Sequence, residues 1–373
     1  RDAIEAEGHI FQSTSDSELV LHRVARSRKE DLREMIAEAV DGLEGAFSLL
    51  ILAKDRLYAY RDPQGFRPLC IGRQGDSWMI ASESCAFDIV GGQYLRDVVP
   101  GELVMVDEKG LHSTMVRSAE EMSRCIFEFV YFARPDSIVF EENVDKVRRK
   151  LGKELAKESP VDADFVISVP DSSNSAALGY SLESGTRFEF GLIRNHYVGR
   201  TFISPKQSVR DSGVLIKYNP VRGVLRGKRI VVVDDSIVRG STMRKLVRLL
   251  RDAGVKEVHL RISSPPIAHP CYYGIDMPTK GELIRNRFDV EGIRDFLGVD
   301  SLAYLSLDGM LACAKSPEGF CTACFSGDYP VSVGHWEGKN RMDRDLCAPG
   351  QATCGFRDSV LPVRRLGAKK LTD

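Results

Sequence analysis

Two adjacent carboxylates, Asp234 and Asp235, stand at the end of the apolar run Ile230-Val-Val-Val233. The run reads as a buried strand. Apolar residues at Met243, Leu246, Val247, Leu249 and Leu250 then read as a helix that Gly254 ends. In open α/β sheets, ligands bind beyond the carboxyl ends of the strands, which is where this pair is placed. Between strand and helix lie Ser236, Ile237, Val238, Arg239, Gly240, Ser241 and Thr242. Such a loop can turn backbone N–H groups toward a phosphate, with the hydroxyls of Ser236, Ser241 and Thr242 as added donors. An isolated acidic pair more often caps a helix or sits in a solvated turn. The combination of strand, double carboxylate, small-residue loop and helix points instead to a ligand.

A second group of chemistry-bearing residues is Cys321-Thr-Ala-Cys324, whose two-residue gap lets both sulfurs reach one metal. Cys125 and Cys271 complete a four-thiolate site if the fold brings them close; zinc, a redox pair and chance spacing are the alternatives. Cys70, Cys85 and Cys313 have no motif around them and read as core residues. A third feature is the basic stretch from 200 to 229, with Arg200, Lys206, Arg210, Lys217, Arg222, Arg226, Lys228 and Arg229 against the single acid Asp211. It is either a solvated face or a local anion site.

The elements that position these residues fall into two patterns. Up to about residue 106, short apolar runs are broken by turns: Ala46-Phe-Ser-Leu-Leu-Ile-Leu52, Leu57-Tyr-Ala-Tyr60, Trp78-Met-Ile-Ala81 and Glu102-Leu-Val-Met-Val106. These are strands, many of them antiparallel neighbours, preceded by helices near 17–27 and 29–42. After about residue 118, strands at 165–169, 230–233 and 258–262 alternate with helices from about 175 and over 242–252, the pattern of a parallel sheet covered on both faces. The fold expected is therefore α+β followed by α/β.

Composition bounds the function. With 373 residues, 43% apolar and 28% charged, the chain can bury more than one core. Lysine plus arginine (52) and aspartate plus glutamate (53) nearly cancel, which argues against nucleic acid or an anionic membrane as partner. No run approaches the ~20 apolar residues of a membrane helix, and the acidic, polar start lacks a signal-peptide pattern. Nine scattered cysteines do not resemble a disulfide framework, so the reading is a cytoplasmic protein.

The strand and loop at 227–242 resemble the signature of type I phosphoribosyltransferases. Around it, Tyr131-Phe-Ala-Arg-Pro-Asp-Ser137, Ser168-Val-Pro-Asp-Ser172, Tyr197-Val-Gly-Arg-Thr-Phe202 and Ser264-Pro-Pro-Ile-Ala-His-Pro-Cys271 occur in the order seen in amidophosphoribosyltransferases. That resemblance runs from Arg1 to about residue 330. It implies the C-terminal part of an N-terminal nucleophile (Ntn) glutaminase domain at 1–117, a phosphoribosyltransferase domain at 118–330 and a divergent tail at 331–373. It further implies the first committed step of purine synthesis, in which phosphoribosyl pyrophosphate and glutamine or ammonia give 5-phosphoribosylamine.

By the same resemblance, Asp234, Asp235 and Ser172 are assigned to magnesium, and a loop containing Asp171, Ser172 and Ser173 receives pyrophosphate. Many family members have glycine in place of Ser173. The basic stretch from Arg200 to Arg229 corresponds to a loop that closes over the substrate, with Arg200 and Lys217 among the residues assigned to bind it. Cys125, Cys271, Cys321 and Cys324 occupy the contexts that ligate a structural [4Fe–4S] cluster, a source of oxygen sensitivity. Arg194 lies where the family places a basic residue near its purine nucleotide inhibitor sites, and homo-oligomers are the rule.

Family members begin with a cysteine nucleophile, which this chain lacks: it opens with Arg1, inside an apparent helix. The expectation is that a first part of the glutaminase domain is absent and that the chain as given uses at most ammonia. Ser13-Thr-Ser-Asp16 resembles the segment binding the glutamine α-amino group through Asp16, a residue otherwise read as a helix N-cap. The tail over 331–357, with Trp336, Cys347 and Cys354, matches nothing in the family. The other readings are a nucleobase salvage phosphoribosyltransferase and a non-catalytic sensor of phosphoribosyl pyrophosphate.

Overall fold

The structure is a computed structural model and describes residues 1–119, 121–195 and 217–333. Two compact units account for it: residues 41–332, and a smaller unit that contains residues 1–40. In the smaller unit, helices Ser17–Arg26 and Leu32–Val40 pack against each other, burying Val20, Ile36, Ala39 and Val40. The chain does open in a helix, Asp2–Ala6.

The larger unit begins with two antiparallel sheets. Strands Ser48–Leu52, Leu57–Arg61, Glu102–Asp107 and Gly110–Met115 form the first, in that order; Ser77–Ala81, Cys70–Gln74 and Gln93–Asp97 form the second. Ala59, Leu69, Ile71, Val98 and Val104 make their shared core. Strands at 70–74 and 93–97 escape the sequence pattern because glycine and charged residues interrupt their alternation, and the strand at 110–115 because His112, Ser113 and Thr114 leave it no apolar alternation. Gly72 is one such interruption, since a Cβ there would run into the Phe87 ring.

The rest of the unit is built on a four-stranded parallel sheet, in the order Phe165–Ser168, Arg229–Asp234, Glu257–Ile262 and Ser301–Tyr304. Val166, Val231 and Val233 join the core on one face, while Phe165, Ile167, Ile230 and Val232 join the core on the other. Burial on both faces explains why the strands read as unbroken apolar runs.

Helices Val144–Glu158 and Asn174–Ser184 lie against each other so closely that a Cβ at Gly152 would strike the Ala176 backbone, and one at Gly179 the Arg149 backbone. This contact fixes the second helix, and with it the loop that enters it from strand Phe165–Ser168. The first helix starts where the Asn143 side chain accepts the Lys146 N–H, an ordinary N-cap. Its buried stripe contains Arg148 and Gly152, which hides the helical period from an apolar count.

Candidate functional site

Asp234 ends the central strand Arg229–Asp234 and Asp235 follows it, with Asp235 only 6% exposed. Ser173 Oγ donates to Asp234 Oδ1 at 2.8 Å, and the Asp235 N–H donates to the same oxygen at 2.9 Å. Ser236 Oγ donates to Asp235 Oδ1 at 2.6 Å, and Ser264 Oγ to the Asp235 carbonyl at 2.7 Å. Burial and the neighbouring Asp235 carboxylate drive Asp234 well above the ordinary carboxylate range, opposed by Ser173, the Asp235 N–H and Lys217. Burial likewise raises Asp235, opposed by the hydroxyls of Ser172 and Ser236 and by the charge of Arg148.

Burial raises both acids and the charge of Asp235 raises the partly exposed Asp234 further, and a divalent cation bound beside the pair would offset both effects. Magnesium typically takes only one or two protein carboxylates and fills its shell with water and substrate phosphates.

The loop after the acids turns at Gly240, whose φ of +74° lies in the left-handed region, and helix Ser241–Asp252 begins directly after it. No side chain caps this helix and its first turn holds no acid, while Ser241 and Thr242 are exposed. Ile237 is buried at 4% exposure and anchors the loop in the core, and Arg239 pairs with Glu282 at 3.1 Å.

The loop at 169–173 crosses this arrangement from the adjacent strand. The Val169 N–H donates to the Val233 carbonyl at 3.0 Å, the 170–171 peptide bond is cis, and Ser168 Oγ donates to Asn174 Oδ1 at 2.6 Å. Asp171 is ion-paired with Arg194. Lys217 feels Asp234, Asp171 and Asp235, yet burial and the charge of Arg194 lower its pKa. Asp171, Ser172, Ser173, Lys217, Asp234 and Asp235 therefore belong to one neighbourhood. Arg200, Lys206 and Arg210 lie outside the described residues, as do Trp336, Cys347 and Cys354. Asp16 holds the N-cap position of helix Ser17–Arg26, but its carboxylate makes no capping bond to that helix.

Cys125, Cys271, Cys321 and Cys324 line a single cavity whose other walls are Phe66, Tyr273, Ile275, Met277 and Ala323. Short parallel strands Arg124–Cys125 and Phe320–Cys321 place Cys125 and Cys321 side by side in register. The Cys324 carbonyl accepts the N–H groups of Ala268 and His269, which ties the segment bearing Cys271 to the other pair. Burial pushes Cys125 far up, Cys321 to about 11 and Cys324 well above the ordinary thiol value. Four thiols converging in an apolar pocket suit a metal group that deprotonates them on binding. Zinc and an iron–sulfur cluster both bind through such thiolates. Cys70, Cys85 and Cys313 are buried elsewhere.

Sequence reasoning missed Arg148 and Ser264. Arg148 is 3% exposed and donates to the carbonyls of Phe129 (2.7 Å) and Ala133 (2.8 Å) while its charge acts on Asp235. A lone arginine within a charged helix carries no local signal for this role. Ser264 could have been found as a residue two positions past the end of the parallel strand that neighbours Asp234.

Comparison with known proteins gives two domain matches: a glutamine amidotransferase domain over residues 1–88 and a phosphoribosyl transferase domain over residues 179–269. Amidophosphoribosyltransferase 1, chloroplastic, of Arabidopsis thaliana is 53% identical over 333 residues, covering 89% of this chain and 59% of the relative. Amidophosphoribosyltransferase of Bacillus subtilis (strain 168) is 48% identical over 338 residues, covering 89% of this chain and 71% of the relative. The solved B. subtilis glutamine phosphoribosylpyrophosphate amidotransferase complexed with ADP and GMP superposes with a TM-score of 0.84 at 48% identity, covering 90% of this chain and 74% of that one. The chain thus spans 59% of the length of the plant relative, and more of the bacterial one. Among the described residues no helix is long and apolar enough to cross a membrane.

Proposed function

The chain belongs to the amidophosphoribosyltransferase family, and we propose that the protein of which it is part makes 5-phosphoribosylamine from phosphoribosyl pyrophosphate, the first step of purine synthesis. The observation that carries this reading is the acidic pair at the end of a parallel strand, crossed by the Ser173 loop and followed by the Gly240 turn. The amidotransferase match over residues 1–88 supports glutamine as the nitrogen source of the whole protein, with ammonia as the species that attacks.

In the reaction, the bond from the anomeric carbon to pyrophosphate breaks with its electron pair leaving on oxygen. Nitrogen bonds to that carbon through a state of oxocarbenium character and then loses a proton. Asp234, Asp235 and Ser172 would hold magnesium, which when bound neutralises charge growing on the leaving group. The 236–242 backbone and the hydroxyls of Ser241 and Thr242 would fix the 5′-phosphate at the helix start. Ser173 and Ser236 hold the two carboxylates in orientation, and Asp171 with Lys217 would line the pyrophosphate side. The site needs positioning and charge stabilisation more than a strong base.

Cys125, Cys271, Cys321 and Cys324 would hold a [4Fe–4S] cluster, which when bound cross-links three separate stretches of chain. The ADP and GMP bound in the solved B. subtilis structure support purine nucleotides as inhibitors here, with Arg194 the basic residue nearest such a role. A homo-oligomer acting in the cytoplasm completes the reading.

The test identifies the product. Phosphoribosyl pyrophosphate, magnesium and ammonium should yield 5-phosphoribosylamine and pyrophosphate, with no nucleotide formed when purine or pyrimidine bases replace ammonium. Nucleotide formation would make the protein a salvage transferase, and tight binding without any product would make it a sensor.

A further inference from the structure

Beyond its left-handed backbone, Gly240 is held to glycine by one close neighbour. A Cβ there would collide with Ile284 Cδ1, and the ring of Phe296 stands next in line. Ile284, itself 2% exposed, also donates its backbone N–H to the Val238 carbonyl at 2.9 Å. Two residues earlier, Glu282 accepts from Arg239 at 3.1 Å through Oε1. The 236–240 loop is thus gripped at three consecutive residues, Val238, Arg239 and Gly240, by a single short stretch of chain.

That stretch is stiffened for the purpose. Glu282 Oε2 accepts both the N–H and the hydroxyl of Thr279 at 3.0 Å, closing a capping box around the turn Lys280–Glu282. At its far end, Asn286 Nδ2 donates to the carbonyls of Ala268 (2.8 Å) and Lys280 (2.9 Å), closing the segment back on the residues tied to Cys324.

We propose that Ile284 and Glu282 are positioning residues for the sugar-phosphate site, holding the 236–240 loop in the shape that receives the 5′-phosphate without touching the ligand themselves. This rests on the reading of that loop given above. Ile284 acts through the Val238 carbonyl and the Gly240 turn. Glu282 acts by fixing the direction of Arg239, and its own attachment to Thr279 makes the anchor rigid. Both lie more than forty residues from the loop in sequence, so neither belongs to the motif that identifies it.

The test compares Ile284→Ala with Ile293→Ala, a residue of equal burial in the same core that makes none of these contacts. Both variants lose thermal stability. Only Ile284→Ala should raise the KM for phosphoribosyl pyrophosphate and the Kd for ribose 5-phosphate, by about fivefold or more, with kcat in the ammonium reaction little changed. Glu282→Gln keeps an acceptor for Thr279, lies on the surface and should fold normally, yet should raise the same two constants by about twofold or more. Equal behaviour of the Ile284 and Ile293 variants, or an unchanged KM in Glu282→Gln, would overturn the positioning role. If the unsubstituted chain bound no ribose 5-phosphate, the reading of the loop would fail first, and the positioning role with it.

Discussion

The Ser173 hydroxyl reaches across from one strand's end loop to donate to Asp234 Oδ1, the carboxylate at the end of the next strand, at 2.8 Å. Ser173 is fully buried, so this bond is sheltered from water and fixes one carboxylate oxygen toward the protein. Ser173→Ala removes the hydroxyl without changing the packing. Loss of such an outer partner typically weakens metal binding by about tenfold or more, so the magnesium concentration giving half-maximal rate should rise by that factor. An unchanged magnesium requirement would show that the bond is only structural.

Replacing Gly240 distorts the loop. A side chain would pay about 1–2 kcal/mol for the left-handed backbone and would also displace Ile284. Gly240→Ala should raise the KM for phosphoribosyl pyrophosphate by about an order of magnitude, measured by pyrophosphate release. Normal kinetics would mean that the loop does not bind the substrate.

The pH dependence of stability follows from two buried acids outside the site. Burial raises Glu128 to about 7 and Asp62 to about 6, from ordinary values of 4.5 and 3.8. A carboxyl raised by folding favours the native state while protonated, so its contribution is present below the ordinary value and is lost as pH climbs through the raised one. The melting temperature should therefore fall between about pH 4 and pH 7. Glu128→Gln should remove the part of that slope between about 4.5 and 7. The same slope in wild type and variant would contradict the assignment.

The cysteine cavity makes a separate prediction. Anaerobic addition of equal amounts of ferrous and ferric iron with sulfide should give a visible charge-transfer absorption, release protons from the raised thiols and lift the melting temperature. Replacing Cys125, Cys271, Cys321 or Cys324 with serine should abolish the absorption, whereas Cys313→Ser, at a thiol outside the cavity, should keep it. Equal absorption in the Cys271 and Cys313 variants would remove the cluster from this cavity.

Much of the site was legible because its signal is local. Strand, acidic pair, loop and helix are contiguous, and the strand is buried on both faces, so the run 230–233 announces itself without reference to anything distant. The Cys321 and Cys324 pair was legible for the same reason, but its union with Cys125 and Cys271 rested on resemblance until the fold brought them together. What was hidden depends on packing. Arg148 sits in a charged helix, Ile284 looks like any core isoleucine, and Glu282 looks like a surface acid until Arg239 is seen beside it. The strands at 70–74 and 93–97 were hidden because glycine and charge break their alternation.

Asp234 and Asp235 are proposed to serve magnesium-dependent transfer at the anomeric carbon. The most direct test is the anaerobic rate of pyrophosphate release from phosphoribosyl pyrophosphate with magnesium and ammonium, for the chain and for Asp234→Asn and Asp235→Asn. Release by the unsubstituted chain is expected, with a loss of about two orders of magnitude or more in each variant and circular dichroism unchanged. Release that survives both substitutions would contradict it.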